Sequence, residues 1–365
     1  MSDIDQEVLK PGQASARIEN APKPDQDQAA AVAESDPPPL RLGIVPRDEL
    51  TGDEYHRLPG ISKSGLSVIG QSPLHYITYK YNPKPATPAL FFGAAYHHLI
   101  LEPETFADHY VPEPFDAPKR PTIAQINAAK PSPQALDSIA FWTEFDAVNK
   151  DKRVIATSSD PDRGIWGRSD WDTLHFMRDA LLDPVLHQNI CLLLAPHLLD
   201  EPGAFDRSSG GPSELSAFIV DNAAPFAAGF QYEPTHKLVK ARLDKLNTDH
   251  NIVVDLKTAI DASFSGFARA AAEFEYHIQH AMYLDVMRQA GQPAKAFVFV
   301  AQEKAPPYAA APYELPKQAV EMGLDLYRRR LELYAKCHNA NDWPGYDQNI
   351  RSLDLPGWAY RVDVS

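Results

Sequence analysis

The spacing of apolar residues changes several times along this chain, and each change predicts a change of element. From Tyr55 to about Ile190 apolar positions recur at helical spacing. LPGISKSGLSVIGQSPLHYITYKY places Ser62 as the N-cap of a helix that stops around Ser72-Pro73, because the residue before a proline is driven out of the helical region. ALFFGAAYHHLILEPETF predicts a second helix, carrying His97 and His98. After a Pro-rich stretch from Pro112 to Pro133, SPQALDSIAFWTEFDAVNK and WDTLHFMRDALLDPVLHQNI predict two more. The period then shortens: ELSAFIV, HKLVKARLDKL and NIVVDLKTA are rich in β-branched residues and nearly alternate, as strands do. A long helix is expected from about Ser263 to Gln289, then the apolar strand AKAFVFVAQE, then a helix from about Lys317 to His338. This order predicts an α/β fold, with a largely helical N-terminal half and a central mixed sheet flanked by helices.

Residues 1–54 differ in kind. They contain no Phe, Trp or Tyr and are rich in Pro, Ala, Gln and acids, so they offer too little apolar surface to offset the entropy of ordering. The expectation is a disordered acidic, Pro-rich tail followed by one domain over residues 55–365. The tail also changes how the net charge of −14 reads: with five Lys/Arg and twelve Asp/Glu it carries half of it, and the other 311 residues share the rest. An acidic total argues against a nucleic-acid partner only when the body carries it, and a cation-binding acid cluster itself adds formal negative charge. No apolar run approaches the length of a membrane span and no basic-then-apolar leader opens the chain, so a cytoplasmic protein is expected. Cys191 and Cys337 are the only cysteines, too few for a zinc ribbon, an iron–sulfur site or a disulfide framework. A metal would be held by oxygen or imidazole.

The segment that offers chemistry is KARLDKLNTDHNIVVDLKTA. Alternate strand residues share a face, so Asp255 and Lys257 point one way, as do Lys240, Arg242 and Asp244 on the strand before. If Asp249 and His250 are the two loop residues of a tight hairpin, positions whose numbers sum to 499 face each other and Asp244 lies opposite Asp255; a longer loop would shift this register. Carboxylates held about 5 Å apart repel unless a cation lies between them or one is protonated, and hard oxygen ligands select Mg²⁺ or Mn²⁺. Phosphodiester hydrolysis uses such a set, with an ammonium such as Lys257 to orient water or neutralise developing charge. The bare pattern also fits a surface hairpin with a cross-strand salt bridge. Its surroundings matter: in QHAMY, Gln279 and Tyr283 lie one turn apart on the helix that follows.

GAAYH at Gly93 to His97, Glu214 in SELSAF, Asp244, Asp255 with Lys257, then Gln279 and Tyr283 occur in the order GxxxH, acid, D…DxK, QxxxY. This order resembles the RecB-like PD-(D/E)XK nucleases. Within them the chain is most similar to the RecE-type (exodeoxyribonuclease VIII-like) exonucleases, over roughly Tyr55 to Tyr360, through ISKSGLSVIGQSPLHY, FGAAYHHLILEPETF, VVDLKTAIDASFSGFARAAAEFEYHIQHAMYLD and WPGYDQNIRSLDLPGWA. The resemblance implies a PD-(D/E)XK core and a Mg²⁺-dependent exonuclease, with Mn²⁺ as a substitute. It implies processive 5′ to 3′ digestion of linear double-stranded DNA from its ends, leaving a 3′ strand for a single-strand annealing partner, and a toroidal homo-oligomer. By matching position, Asp244 and Asp255 resemble the metal-binding carboxylates, Lys257 the catalytic lysine, His97 a further metal ligand, Glu214 the acid of the first core strand, and Gln279 with Tyr283 a DNA-positioning pair. VDNAAPFAAGFQYEPTHK, after Glu214, is longer than the family pattern.

Other residues divide between roles. Arg242 and Lys240 share a face with Asp244, which allows phosphate contact or charge balance. Ser62 and Ser64 read as caps, with a terminal-phosphate contact at Ser64 as the functional alternative. His98 reads as structural. His277, His280 and Glu273 have zinc-like helical spacing, but His280, beside Gln279, fits packing or lining of a DNA path better. No P-loop, GxGxxG or nucleophile elbow is present, which removes nucleotide hydrolysis, dinucleotide binding and α/β-hydrolase chemistry. The alternatives to an exonuclease are a catalytically silent DNA-binding adaptor for the annealing partner and an endonuclease on the same core.

Overall fold

The alternating stretches form one six-stranded mixed sheet. The computed structural model describes residues 40–82, 85–157, 169–195, 212–221, 237–350 and 352–355; the expected tail over residues 1–39 lies outside them. The strands are β1 (Gly43–Val45), β2 (Tyr110–Pro112), β3 (Arg153–Ile155), β4 (Ser213–Val220), β5 (Leu238–Asn247), β6 (Ile252–Ala259), β7 (Ala296–Glu303) and β8 (Ala310–Tyr313). The helices are α1 (Gly52–Arg57), α2 (Lys63–Ile69), α3 (Pro73–Tyr81), α4 (Pro88–Leu101), α5 (Pro103–His109), α6 (Ile123–Ile126), α7 (Pro133–Val148), α8 (Asp170–Leu181), α9 (Gln188–Leu194), α10 (Phe264–Glu273), α11 (Tyr276–Gln289) and α12 (Lys317–Ala340). The sheet order is β1-β4-β5-β6-β7-β8, antiparallel except for β6 with β7, while β2 and β3 form a small parallel pair. The parallel pairing of β6 with β7 uses the helical crossover through α10 and α11 that lies between them in sequence.

Each face of the sheet has its own core. Val239, Ala241, Leu243 and Val253 pack with Ile278, Met282 and Tyr327 of α11 and α12. Val254, Leu256 and Val300 pack with Tyr96, Leu99 and Leu174 of α4 and α8. Neighbours on β6 thus serve opposite cores, which explains why NIVVDL reads as a continuous apolar run more than an alternation. Burying each of the Val, Leu, Ile and Met side chains among them contributes about 1.5–3 kcal/mol.

Three sequence expectations are corrected. Part of the stretch expected to be disordered, before Tyr55, is ordered: β1 pairs with β4, and Val45, Leu50 and Tyr55 bury against Phe218. The stretch LRLGIV supplies apolar surface that its Pro-rich, aromatic-free setting hides. The long helices break: Pro103 ends α4 at Glu102, Asp183 and Pro184 separate α8 from α9, and Glu275, at φ 55°, separates α10 from α11. The hairpin loop is residues 248–251, longer than the two expected, yet centred on the same point. The observed pairs Lys245 with Val254, Leu246 with Val253 and Asn247 with Ile252 therefore keep the register in which numbers sum to 499.

No helix among the described residues is long and apolar enough to cross a membrane.

Candidate active site

Pairing between β5 and β6 runs for only those three residues, whereas β6 stays paired with β7 along its whole length. The two strands therefore part at Asp244 and Asp255. The Leu256 amide, which would otherwise face a carbonyl of β5, donates to Asp244 Oδ2 at 2.8 Å. Asp255 belongs to the α11 side of the fork: its Oδ1 accepts from Gln279 Nε2 at 2.5 Å, and its Oδ2 forms an ion pair with Lys257 Nζ. Lys257 Nζ in turn lies 5.1 Å from the centre of the Tyr276 ring.

From the opposite side α4 brings His97, whose Nδ1 lies 3.4 Å from Asp244 Oδ2. Glu214, at φ 51° near the start of β4, completes the cluster, and its Oε2 accepts from Arg242 Nε at 2.5 Å. His97, Glu214 and Asp244 each present one ligand atom within 4.8 Å of the others, the one group of three metal-ligating side chains so placed among the described residues. Two carboxylates and an imidazole suit a divalent cation of the Mg²⁺ or Mn²⁺ type, with the imidazole favouring the softer ion.

The electrostatics fit that use. Burial, partly offset by Lys257, pushes the Asp255 carboxyl up to about 6. Burial also raises Glu214, as does the charge of Asp244, against the pull of Arg242. Burial opposes charge on Asp244 as well, but His97, Lys257 and the Leu256 amide outweigh it and hold this carboxyl low. On His97 burial is outweighed by Asp244, so the imidazole keeps its proton above the usual range; on Lys257 burial is outweighed by Asp255 and Asp244, so the ammonium stays charged. A half-buried acid cluster beside the buried Asp255 that spreads its proton affinities in this way is a mark of functional sites.

The structure places the other predicted residues as follows. Gln279 is buried on Asp255, and Tyr283, half-buried, packs against the core beside Phe297. Arg242 balances Glu214 and also bonds Ser216 Oγ at 3.0 Å. Lys240 is corrected: it is 6% exposed, and its ammonium donates to the carbonyls of Leu58 at 2.7 Å, Tyr55 at 2.9 Å and His56 at 3.3 Å, so it holds the C-terminal end of α1 and leaves no donor facing a groove. Ser64 is exposed in the first turn of α2, where Ser62 is the cap, its Oγ accepting from the Gly65 amide. His98 hydrogen-bonds Thr105, lies 3.5 Å from the Glu102 carboxylate and meets Phe106 edge-on, a structural role. His280 is buried against Phe297, and it, His277 and Glu273 do not form a ligand cluster among the described residues.

Three residues went unnoticed in the sequence. Lys63 donates to the Phe274 carbonyl at 2.5 Å, and burial together with Lys257 pushes its ammonium down to about 8. Tyr276 is the ring shared by Lys63 and Lys257. Glu102, buried with Arg47 and His98, is pushed by burial up to about 7. Only Glu102 carried a local signal, the Glu-Pro step that stops α4; the other two meet the site through contacts distant in sequence.

Residues 230–356 match the model of a family described as "PDDEXK-like domain of unknown function (DUF3799)". The site falls largely within that match. It spans Asp244, Asp255, Lys257, Gln279 and Tyr283, while His97 and Glu214 precede it. No curated protein matches the chain. Among solved structures, the chain is similar to a "Putative exonuclease" from Eubacterium rectale, at 10% identity over 87% of this chain and 96% of that one, with a TM-score of 0.44. A structure designated SSO0001 is 16% identical over 45% of this chain and 68% of that one, with a TM-score of 0.22.

Proposed function

We propose that this protein is a divalent-cation-dependent nuclease that hydrolyses phosphodiester bonds of DNA, degrading linear double-stranded DNA from its ends. The observation that carries the reading is the fork between β5 and β6, which sets the His97, Glu214 and Asp244 cluster beside the Asp255–Lys257 pair. The match to a PDDEXK-like domain over the same strands supports it.

His97, Glu214 and Asp244 are the side chains that would hold the cation, and Asp255 borders them. A bound Mg²⁺ or Mn²⁺ supplies charge that polarises a phosphoryl oxygen and acidifies nearby water. The remaining work falls to the chain. Asp255, kept in place by Gln279, keeps Lys257 protonated and aimed at the fork; the ammonium can orient water through its N–H donors and offset charge that builds on the phosphate. Arg242 holds Glu214 through Oε2 and leaves Oε1 for a ligand. Tyr276 shields one side of Lys257 from water, which strengthens its field at the phosphate. A homo-oligomeric ring and an annealing partner belong to this proposal through the RecE-type resemblance.

The test is digestion of end-labelled linear duplex and of covalently closed circular DNA, with and without Mg²⁺, by wild type and Lys257→Ala. Cation-dependent loss of the linear substrate alone, abolished by the substitution, is expected. Cutting of the circle would make the protein an endonuclease, and folded protein inert on both in Mg²⁺ and Mn²⁺ would leave the adaptor reading.

A further inference from the structure

The corner between α10 and α11 is held firmly and presents an aromatic ring. Glu275 adopts φ 55°, a left-handed conformation uncommon for a residue with a Cβ, and Arg330 grips both its carboxylate oxygens at 2.7 and 2.6 Å. The turn leaves Phe274 53% exposed, although its ring stacks on Tyr276 at 5.9 Å with an interplanar angle of 29°. The same Tyr276 ring carries Lys257 Nζ at 5.1 Å and Lys63 Nζ at 5.9 Å, and Lys63 also holds the Phe274 carbonyl. An open aromatic face thus sits beside two ammonium groups and the carboxylate cluster. An apolar partner would gain nothing from those charges. A nucleic-acid strand with an unpaired base uses both, since every base has a π-face to stack and its flanking phosphates seek cations.

We propose that Phe274 is a base-stacking platform: an unpaired nucleobase of the bound strand lies on its exposed ring while Lys63 and Lys257 face the adjoining phosphates. This deepens the nuclease reading and rests on it for the identity of the ligand. It gives the site a preference for strand ends whose terminal pair is frayed or absent. The firmness of the corner matters here, because a ring already fixed by Tyr276 and the Arg330–Glu275 pair loses little freedom when a base stacks on it.

Two measurements on the full chain test it, with Phe274→Leu (apolar, no ring), Phe274→Tyr (ring kept) and Phe264→Leu as an exposed-aromatic control 80% open to solvent. The first is the KM and kcat for cutting an oligonucleotide with an unpaired end. The second, without divalent cation, is quenching of 2-aminopurine placed at the unpaired terminal base. Expected are a KM raised about 5- to 100-fold by Phe274→Leu with kcat little changed, near wild-type values for Phe274→Tyr and Phe264→Leu, and quenching lost only in Phe274→Leu. If wild type cuts and Phe274→Leu has an unchanged KM, or Phe264→Leu raises it equally, the platform is overturned while the nuclease reading stands. If wild type cuts no DNA, the nuclease reading fails and quenching alone decides: Phe274-dependent quenching supports the platform, and its absence overturns it.

Discussion

The Leu256 amide donates to Asp244 Oδ2 at 2.8 Å, so one carboxylate both closes the end of a strand ladder and stands with His97 and Glu214 in the cluster that could hold a metal ion. Structure and chemistry can be separated there by choice of substitution. Asp244→Ala strands a buried amide and should cost about 1–3 kcal/mol of stability. Asp244→Asn keeps an acceptor and should cost less, while both lose at least about 100-fold in cation affinity. Thermal melts of the cation-free protein beside Mn²⁺ titrations check this; equal destabilisation by the two would mean that the bond to Leu256 contributes nothing.

Lys257→Ala should lower the rate about 10²- to 10³-fold while leaving cation binding nearly intact, since the lysine acts on charge at the phosphate and is not a ligand. Single-turnover rates at saturating Mn²⁺ make the comparison. A variant that recovers full rate at high Mn²⁺ would place Lys257 in cation binding instead.

Activity should fall as pH drops through about 6. The sign follows from the shifts: Asp255, raised by burial to about 6, takes up a proton below that value and stops balancing Lys257, and His97, raised by Asp244, must lose its proton to become a ligand. Both protons oppose cation binding, so the Mn²⁺ needed for half-maximal rate should rise as the pH falls from 8 to 5.5. A cation requirement flat across that range would show that neither group titrates with binding.

Lys240 offers a contrast. Its ammonium is spent on three carbonyls, so Lys240→Met should cost about 2–3 kcal/mol and leave the salt dependence of DNA binding unchanged. A lysine that met phosphate would, when removed, reduce the slope of log K against log salt by about one.

These residues also show what the chain made legible. Asp244, Asp255 and Lys257 could be found because a hairpin fixes its own register: the pairing of Leu246 with Val253 survives a loop of four residues as well as one of two. Their separation by a fork could not be read, since it depends on β6 preferring β7, a partner over forty residues away. Lys240 misled because strand alternation tells which face a side chain takes but not what covers that face; the C-terminal end of α1, with the carbonyls of Tyr55, His56 and Leu58, lies over it. Glu214 reads as an acid of the first strand, but its position beside His97 and Asp244 rests on the packing of α4 against the sheet. Breaks at Glu102 and Asp183 were signalled by the prolines after them, whereas the break at Glu275 was silent, being set by Arg330 from a helix much later in the chain.

If His97, Glu214 and Asp244 hold the cation used to hydrolyse DNA, the rate of linear duplex hydrolysis against Mn²⁺ concentration must separate wild type from His97→Ala. This role of the cluster predicts cation-dependent hydrolysis by wild type, and for the variant a half-saturating Mn²⁺ concentration raised at least about tenfold with part of the rate recovered at saturation. Hydrolysis with the same Mn²⁺ dependence in both proteins, or none by folded wild type, would contradict it.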